Sequence, residues 1–365
     1  MSARPATRMD ELEELIASKD IGSRAQALRR VTDLFVSGGA RLSDDQIALF
    51  DEVMGRLARA IDTAARAAFG SRLAAIPWAL PQTLRDLALD DEITVAEPIL
   101  RGAVELDAAT LVEGAKTKSQ DHLLAISRRS FLAESVTEVL VLRGNREVAL
   151  STAGNSGARF SEGGYATLVQ RSEADGELAV CVWLRKEIPR QHLLRLFADA
   201  SASVRTTLKA ADPSKADLVR DMVAKASEQF QAESRRHSVD YAAAEAAVRS
   251  LQEHGRLSVT SLAEFARAGK FDEATIALSL LSNLPIGLVE RAFTGDVVDQ
   301  ILVLAKAMGL AWDDAKALLS LKAGVNGGAI DLDLCRARFT KLRSETALKT
   351  IQFYRLRERA ASGAA

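Results

Sequence analysis

Arg128, Arg129, Arg143, Arg146 and Arg159 fall near positions where the sequence predicts turns between short helices. A guanidinium stays charged at any physiological pH and presents a planar fork of donors that matches carboxylates and phosphates. If stacked helices align these five, they form a positive edge able to hold an acidic protein segment, a nucleotide or a nucleic-acid backbone. The surrounding charge narrows that choice. Residues 118–210 hold 13 basic and 10 acidic side chains, whereas residues 81–117 hold 3 and 8, and the whole chain carries a net charge of −1. A duplex site needs many phosphate contacts over a broad basic face. A short local patch suits an acidic protein segment better. The alternative is a solvated surface with weak local ion pairs.

Other chemistry leaves fainter traces. His122, His192, His237 and His254 have no His or Cys neighbour at metal-ligand spacing. Cys181 and Cys335 are far apart, and a lone cysteine is more often a small buried apolar residue than a nucleophile. No His-Glu-x-x-His, Gly-x-Ser-x-Gly or P-loop lysine occurs. Gly154-Asn155-Ser156-Gly157 and Gly163-Gly164 read as tight interhelical turns, with Asn155 suited to bonding neighbouring turns across repeats. No catalytic, cofactor-binding or metal-binding residue is therefore assigned. Trp183 with Glu187 or Asp175 is the only set that would suit a base-repair enzyme.

The elements that must carry these residues are helical. The chain has 365 residues, 48% hydrophobic and 27% charged, with few aromatics, 22 glycines and 7 prolines. Such a composition favours helices over sheets. Ala25, Leu28, Val31, Thr32 and Phe35 keep helical spacing up to Gly38-Gly39. Ser43 and Gln46 form a capping box. The next helix is expected to run on through Ile61 and Ala64 to Phe69-Gly70. Pro77 and Pro81 mark a boundary. Asp212-Pro213 starts one long helix, or two with a break near residues 234–238. Ser261 and Glu264 suggest a second capping box, Asn326-Gly327-Gly328 a loop, and a basic final helix is expected from Leu332 to about Arg359. The polar N-terminus does not look like a secretory signal, and no apolar stretch approaches the length of a membrane span.

Between Pro81 and about Ala210 the pattern repeats. A small or polar residue precedes an aliphatic by four places at Asp91/Val95, Gln120/Leu124, Gly144/Val148, Gly176/Val180 and Ala200/Val204. Helices of this kind bury their apolar stripes by stacking on neighbours, the logic of an α-solenoid. Asp199 to Arg205 resembles the start of the second helix of a HEAT-type repeat, and Leu89-Asp90-Asp91 is a weaker copy. Val136 through Ala158, Leu257 to Phe271, Leu278 to Leu281 and Gly309 to Trp312 are similar to an uncharacterised bacterial family with HEAT-like repeats, the domain of unknown function 2336. That resemblance implies a helical-repeat fold and brings no catalytic residues with it.

The expected protein is all-α: a HEAT-like α-solenoid of short helix pairs with flanking helical segments. Its parts are a helical segment over 1–75, the repeat region over 76–210, bridging helices over 211–255 and a C-terminal lobe over 256–365. Two cysteines and no membrane span suit the cytoplasm. The function expected is non-catalytic binding or scaffolding of a protein partner, without cofactor. The rivals are a nucleic-acid-binding protein, with a base-repair enzyme as its catalytic form, and a small-ligand sensor using the Arg128–Arg159 region.

Overall fold

The computed structural model describes residues 20–39, 42–76 and 80–362. They are all-α, with 21 α-helices and one short 3-10 turn, and none belongs to a β-strand. The polar N-terminus before Asp20, Pro77 and the last three residues lie outside the described set. The chain divides into two compact units at Gly164/Tyr165, so the stretch 76–210 spans the division.

The first unit holds α1 (Ile21–Gly38), α2 (Asp44–Ala58), α3 (Thr63–Leu73), α4 (Pro81–Ala88), α5 (Ile93–Gly102), α6 (Ala108–Thr117), α7 (Gln120–Ser127), α8 (Glu134–Arg143) and α9 (Arg146–Gly154). Gly39 stops α1 in a conformation with φ of 54° that a side chain would strain. The capping box is present at Ser43 and Gln46. The helix expected to continue to Gly70 is instead two helices, because Asp62 accepts from the Ala65 amide and starts a new one. Pro81 opens α4, and Asp51 of α2 caps it from outside, its carboxylate accepting from the Gln82 and Thr83 amides at 2.8 Å each.

From α2 to α9 each helix packs on the helix two places along the chain, so that α3, α5, α7 and α9 form one layer and α2, α4, α6 and α8 the other. That connectivity is compatible with the expected solenoid. Val95 and Val148 are buried, and Leu124 is half-buried. Short parallel pairing closes the C-terminal side: the Leu132 amide donates to the Gly157 carbonyl at 3.1 Å, and the Arg159 amide donates to the Leu132 carbonyl at 2.9 Å.

The second unit begins within α10 (Glu162–Ser172), which takes in Gly163 and Gly164 in its first turn rather than leaving them as a loop. It continues with α11 (Gly176–Trp183), α12 (Arg190–Ala211), the 3-10 turn Pro213–Lys215, α13 (Ala216–His237) and α14 (Val239–Glu253). Asp199 to Arg205 lies inside the unbroken α12, so no HEAT-type turn occurs there, and Val180 and Val204 are exposed. The expected break falls at Ser238, which caps α14 by accepting from the Tyr241 amide. Then follow α15 (Val259–Arg267), α16 (Phe271–Ser282), α17 (Ile286–Thr294), α18 (Asp299–Ala307), α19 (Trp312–Asn326), α20 (Leu332–Lys341) and α21 (Ser344–Ser362). Ser258, not Ser261, caps α15. The single basic helix expected from Leu332 is two, because Leu342 turns extended. A core around Val248, Leu262, Phe293, Ile301 and Leu318 joins the helices from α14 on.

Candidate functional site

The five arginines do not make one patch. Arg129 turns back along the stack: its Nη1 donates to the Leu100 carbonyl at 2.6 Å and its Nη2 to the Ala103 carbonyl at 2.7 Å. It thereby satisfies the open end of α5, where the last carbonyls have no intrahelical donor. Burial lowers its pKa. Arg143 does the same for α6, donating to the Ala115 carbonyl and, at 3.4 Å, to that of Lys118. Asn155 closes α7, its Nδ2 donating to the Ser127 and Arg129 carbonyls at 2.8 and 2.7 Å. Each cap comes from the end of the helix two places further on, so the three form a ladder along the stack.

Arg128, Arg146 and Arg159 are exposed, and so is Arg143 beyond its capping bonds, whereas Arg129 is half-buried. Arg128 reaches Glu147 at 3.9 Å. Arg143 and Arg146 flank the turn between α8 and α9, while Arg128, Arg129 and Arg159 lie at the other ends of these helices. The register of the stack decides this split, and sequence spacing alone carries no sign of it.

The strongest electrostatics lie in the second unit. Arg190, at the first position of α12, bonds the Asp272 carboxylate at 2.7 and 2.9 Å and Glu290 at 2.6 Å. Glu290 is fully buried and also accepts from Arg235 at 2.7 Å. The Arg190 guanidinium lies over the Tyr241 ring, 4.7 Å from its centroid. Burial raises the Glu290 pKa, and the two arginines oppose that rise. One turn further, Arg195 bonds Asp296 and the Thr294 carbonyl at 2.7 Å and Glu173 at 2.9 Å. Asp199 approaches its Nε at 2.9 Å without hydrogen-bond alignment. Burial, helped by the charges of Glu173 and Asp296, lifts Asp199 to about 6 against the pull of Arg195.

Lys322 of α19 is buried and ends among the carbonyls that close α17, with Ala292 at 2.9 Å, Phe293 at 3.2 Å and Gly295 also accepting. Burial, then the Arg195 charge, lowers its pKa to about 8. His192 is buried, stacks on Tyr165 with centroids 6.0 Å apart, and makes no aligned hydrogen bond through either ring nitrogen. Burial pushes it down to about 4, with the Val325 backbone opposing, so its ring is neutral at pH 7. These groups join α12 to α16, α17 and α19. Their partners are internal, which is the arrangement of a structural hub.

The remaining residues stay separate. His122 is buried, bonded to Ser119 at 2.7 Å and to the Asp90 carbonyl at 3.0 Å. Among the described residues no group of three His, Cys, Asp or Glu could hold a metal ion. Cys181 and Cys335 are free cysteines, both raised in pKa by burial. The residues named for base repair each have a partner of their own: Asp175 caps the start of α11, Trp183 ends it beside Phe230, and Glu187 pairs with Arg185. None of the described helices is long and apolar enough to cross a membrane.

Neither the curated proteins nor the solved structures include a match to this chain. Residues 95–352 match the family described as an uncharacterised protein conserved in bacteria, the domain of unknown function 2336. That stretch takes in the capped stack from α5 onward and the ionic hub of the second unit, and the chain belongs to this family.

Proposed function

We propose that the protein is a non-catalytic helical binding protein that engages an acidic protein segment. The ladder of Arg129, Arg143 and Asn155 supports this reading. It spends polar side chains on fixing one helix pair against the next, which stiffens an extended stack, and such stacks serve as binding surfaces. Arg128, Arg146 and Arg159 remain exposed at the turns of that stack, where they would meet carboxylates of the partner. A reducing, cytoplasmic setting suits the two free cysteines. The test is a quantitative pull-down from native lysate, with the wild type beside an Arg128→Glu/Arg146→Glu variant. The proposal requires a protein band that the variant and added salt both remove. Recovery of nuclease-sensitive material instead would favour nucleic acid and defeat it.

A further inference from the structure

Helices α12 and α13 have 22 residues each and form an antiparallel hairpin through the turn Pro213–Lys215. Between them, and against the end of α17, lies a cleft of about 390 Å³. Small-molecule sites run to about 300–1,000 Å³. Phe197 and Phe230 stack at the end of the cleft nearer the hub, with ring centroids 4.2 Å apart. Beside them Gln231 forms part of the wall. It is only 4% exposed, and among the described residues it makes no hydrogen bond, its enclosed Oε1 included. A buried carboxamide is seldom left in that state, because its desolvation goes uncompensated. Its donor and acceptor, side by side, match the donor–acceptor edge of a nucleobase.

The charges change along the cleft. At the inner end Asp199 and Asp296 both engage Arg195, and Arg291 reaches Glu228 only at 3.9 Å. Toward the turn, Arg220 is shared by Asp217 and Asp221 at 2.8 and 3.4 Å. Arg205 lines the same cleft, is exposed, and has no acidic partner among the described residues. It is therefore the uncommitted cation of the cleft, and its planar fork suits a phosphate. Arg205 lies eight residues beyond Phe197 on α12, about 12 Å along the helix axis. An inorganic phosphate held by Arg205 is too short to reach Gln231, whereas a base joined to a phosphate through a sugar spans the two. We infer that this cleft binds a mononucleotide, its base lying beside Phe197 and Phe230 with its edge on Gln231, and its phosphate on Arg205. The site is separate from Arg128 and Arg146 and does not depend on the reading that the protein binds an acidic segment.

The probes are AMP, GMP, CMP and UMP, titrated into the full chain by isothermal calorimetry beside their parent nucleosides and inorganic phosphate. At least one nucleotide is expected to bind, with its nucleoside and phosphate alone each weaker by about tenfold or more. Gln231→Leu and Arg205→Glu are each expected to lower the affinity for that nucleotide by about tenfold or more. Gln231→Leu removes an unpaired buried amide, so the variant is expected to melt no lower than the wild type while losing the ligand. A merely structural glutamine would not show that combination. Arg205 is exposed, so its reversal leaves the fold intact and the test remains decisive if the Gln231 variant unfolds. The inference is overturned if none of the nucleotides binds, or if phosphate alone binds as tightly as the nucleotide. Undiminished nucleotide affinity in either folded variant overturns it as well.

Discussion

Arg129 donates to the carbonyl of Leu100, 29 residues earlier in the chain, at 2.6 Å. The contact exists only if α7 lies directly on α5, so one side chain records the register of the whole stack. Removing it strands the Leu100 and Ala103 carbonyls. Arg129→Ala is expected to cost about 1–3 kcal/mol, the usual range for buried acceptors left without donors. Urea unfolding checks this; an unchanged midpoint would mean that the ladder does not hold the pairs in place.

Gly157 tests the same junction by sterics. A Cβ at this position would fall 1.8 Å from the Ser130 carbonyl oxygen, which is backbone and cannot swing aside. Gly157→Ala is expected to break the pairing of Leu132 with the Gly157 carbonyl and to lower the melting temperature. Val148, fully buried in α9, gives a harsher version, since Val148→Asp buries an unpaired charge at about 3–5 kcal/mol. Hydrogen exchange at the Leu132 amide distinguishes local opening from global unfolding.

Within α12, His192 and Asp199 are displaced in opposite directions, to about 4 and about 6. Native His192 refuses a proton that the unfolded chain accepts, so its contribution is complete above its ordinary 6.5 and lost as pH falls toward 4. Native Asp199 keeps a proton that the unfolded chain releases, so its contribution is complete below 3.8 and lost as pH rises through 6. The two slopes oppose each other over one window. Relative to wild type, His192→Gln should make stability fall with rising pH between 4 and 6, and Asp199→Asn should make it rise, each by up to about 1.4 kcal/mol per pH unit. Denaturation midpoints across that range measure it. Two variants running parallel to the wild type would contradict the burial of these groups.

Glu290 sits between Arg190 and Arg235 with no exposed surface. Glu290→Ala leaves two guanidiniums facing a void and is expected to cost about 3–5 kcal/mol. A double change with Arg190→Met should recover part of that loss, because the uncompensated charge is then gone. If the double variant is no more stable than the single one, the ion pair is not what fixes α12 to α17.

Local signals in the sequence carried over well. Ser43 and Gln46 make their box, Asn155 bonds across neighbouring turns, and Gly327 ends α19 in left-handed backbone. These features depend on residues a few positions apart, where chemistry and spacing suffice. The roles of Arg129, Arg143 and Lys322 depend on carbonyls 25 to 30 residues away, and nothing in a side chain's own neighbourhood announces that it will reach back to them. Asp199 to Arg205 failed for the converse reason. The motif matches a repeat start, but its alanines favour helix and no glycine or proline interrupts it, so α12 simply continues.

Arg129 and Arg143 act as caps and Arg128 and Arg146 are proposed as contacts, a division that one paired measurement tests most directly. Arg129→Gln/Arg143→Gln and Arg128→Glu/Arg146→Glu are each measured for melting temperature and for capture of the protein partner from lysate. The cap pair is expected to melt lower, and the contact pair to melt as wild type while losing the partner. A contact pair that retains the partner in full, or a cap pair that melts unchanged, would contradict the division.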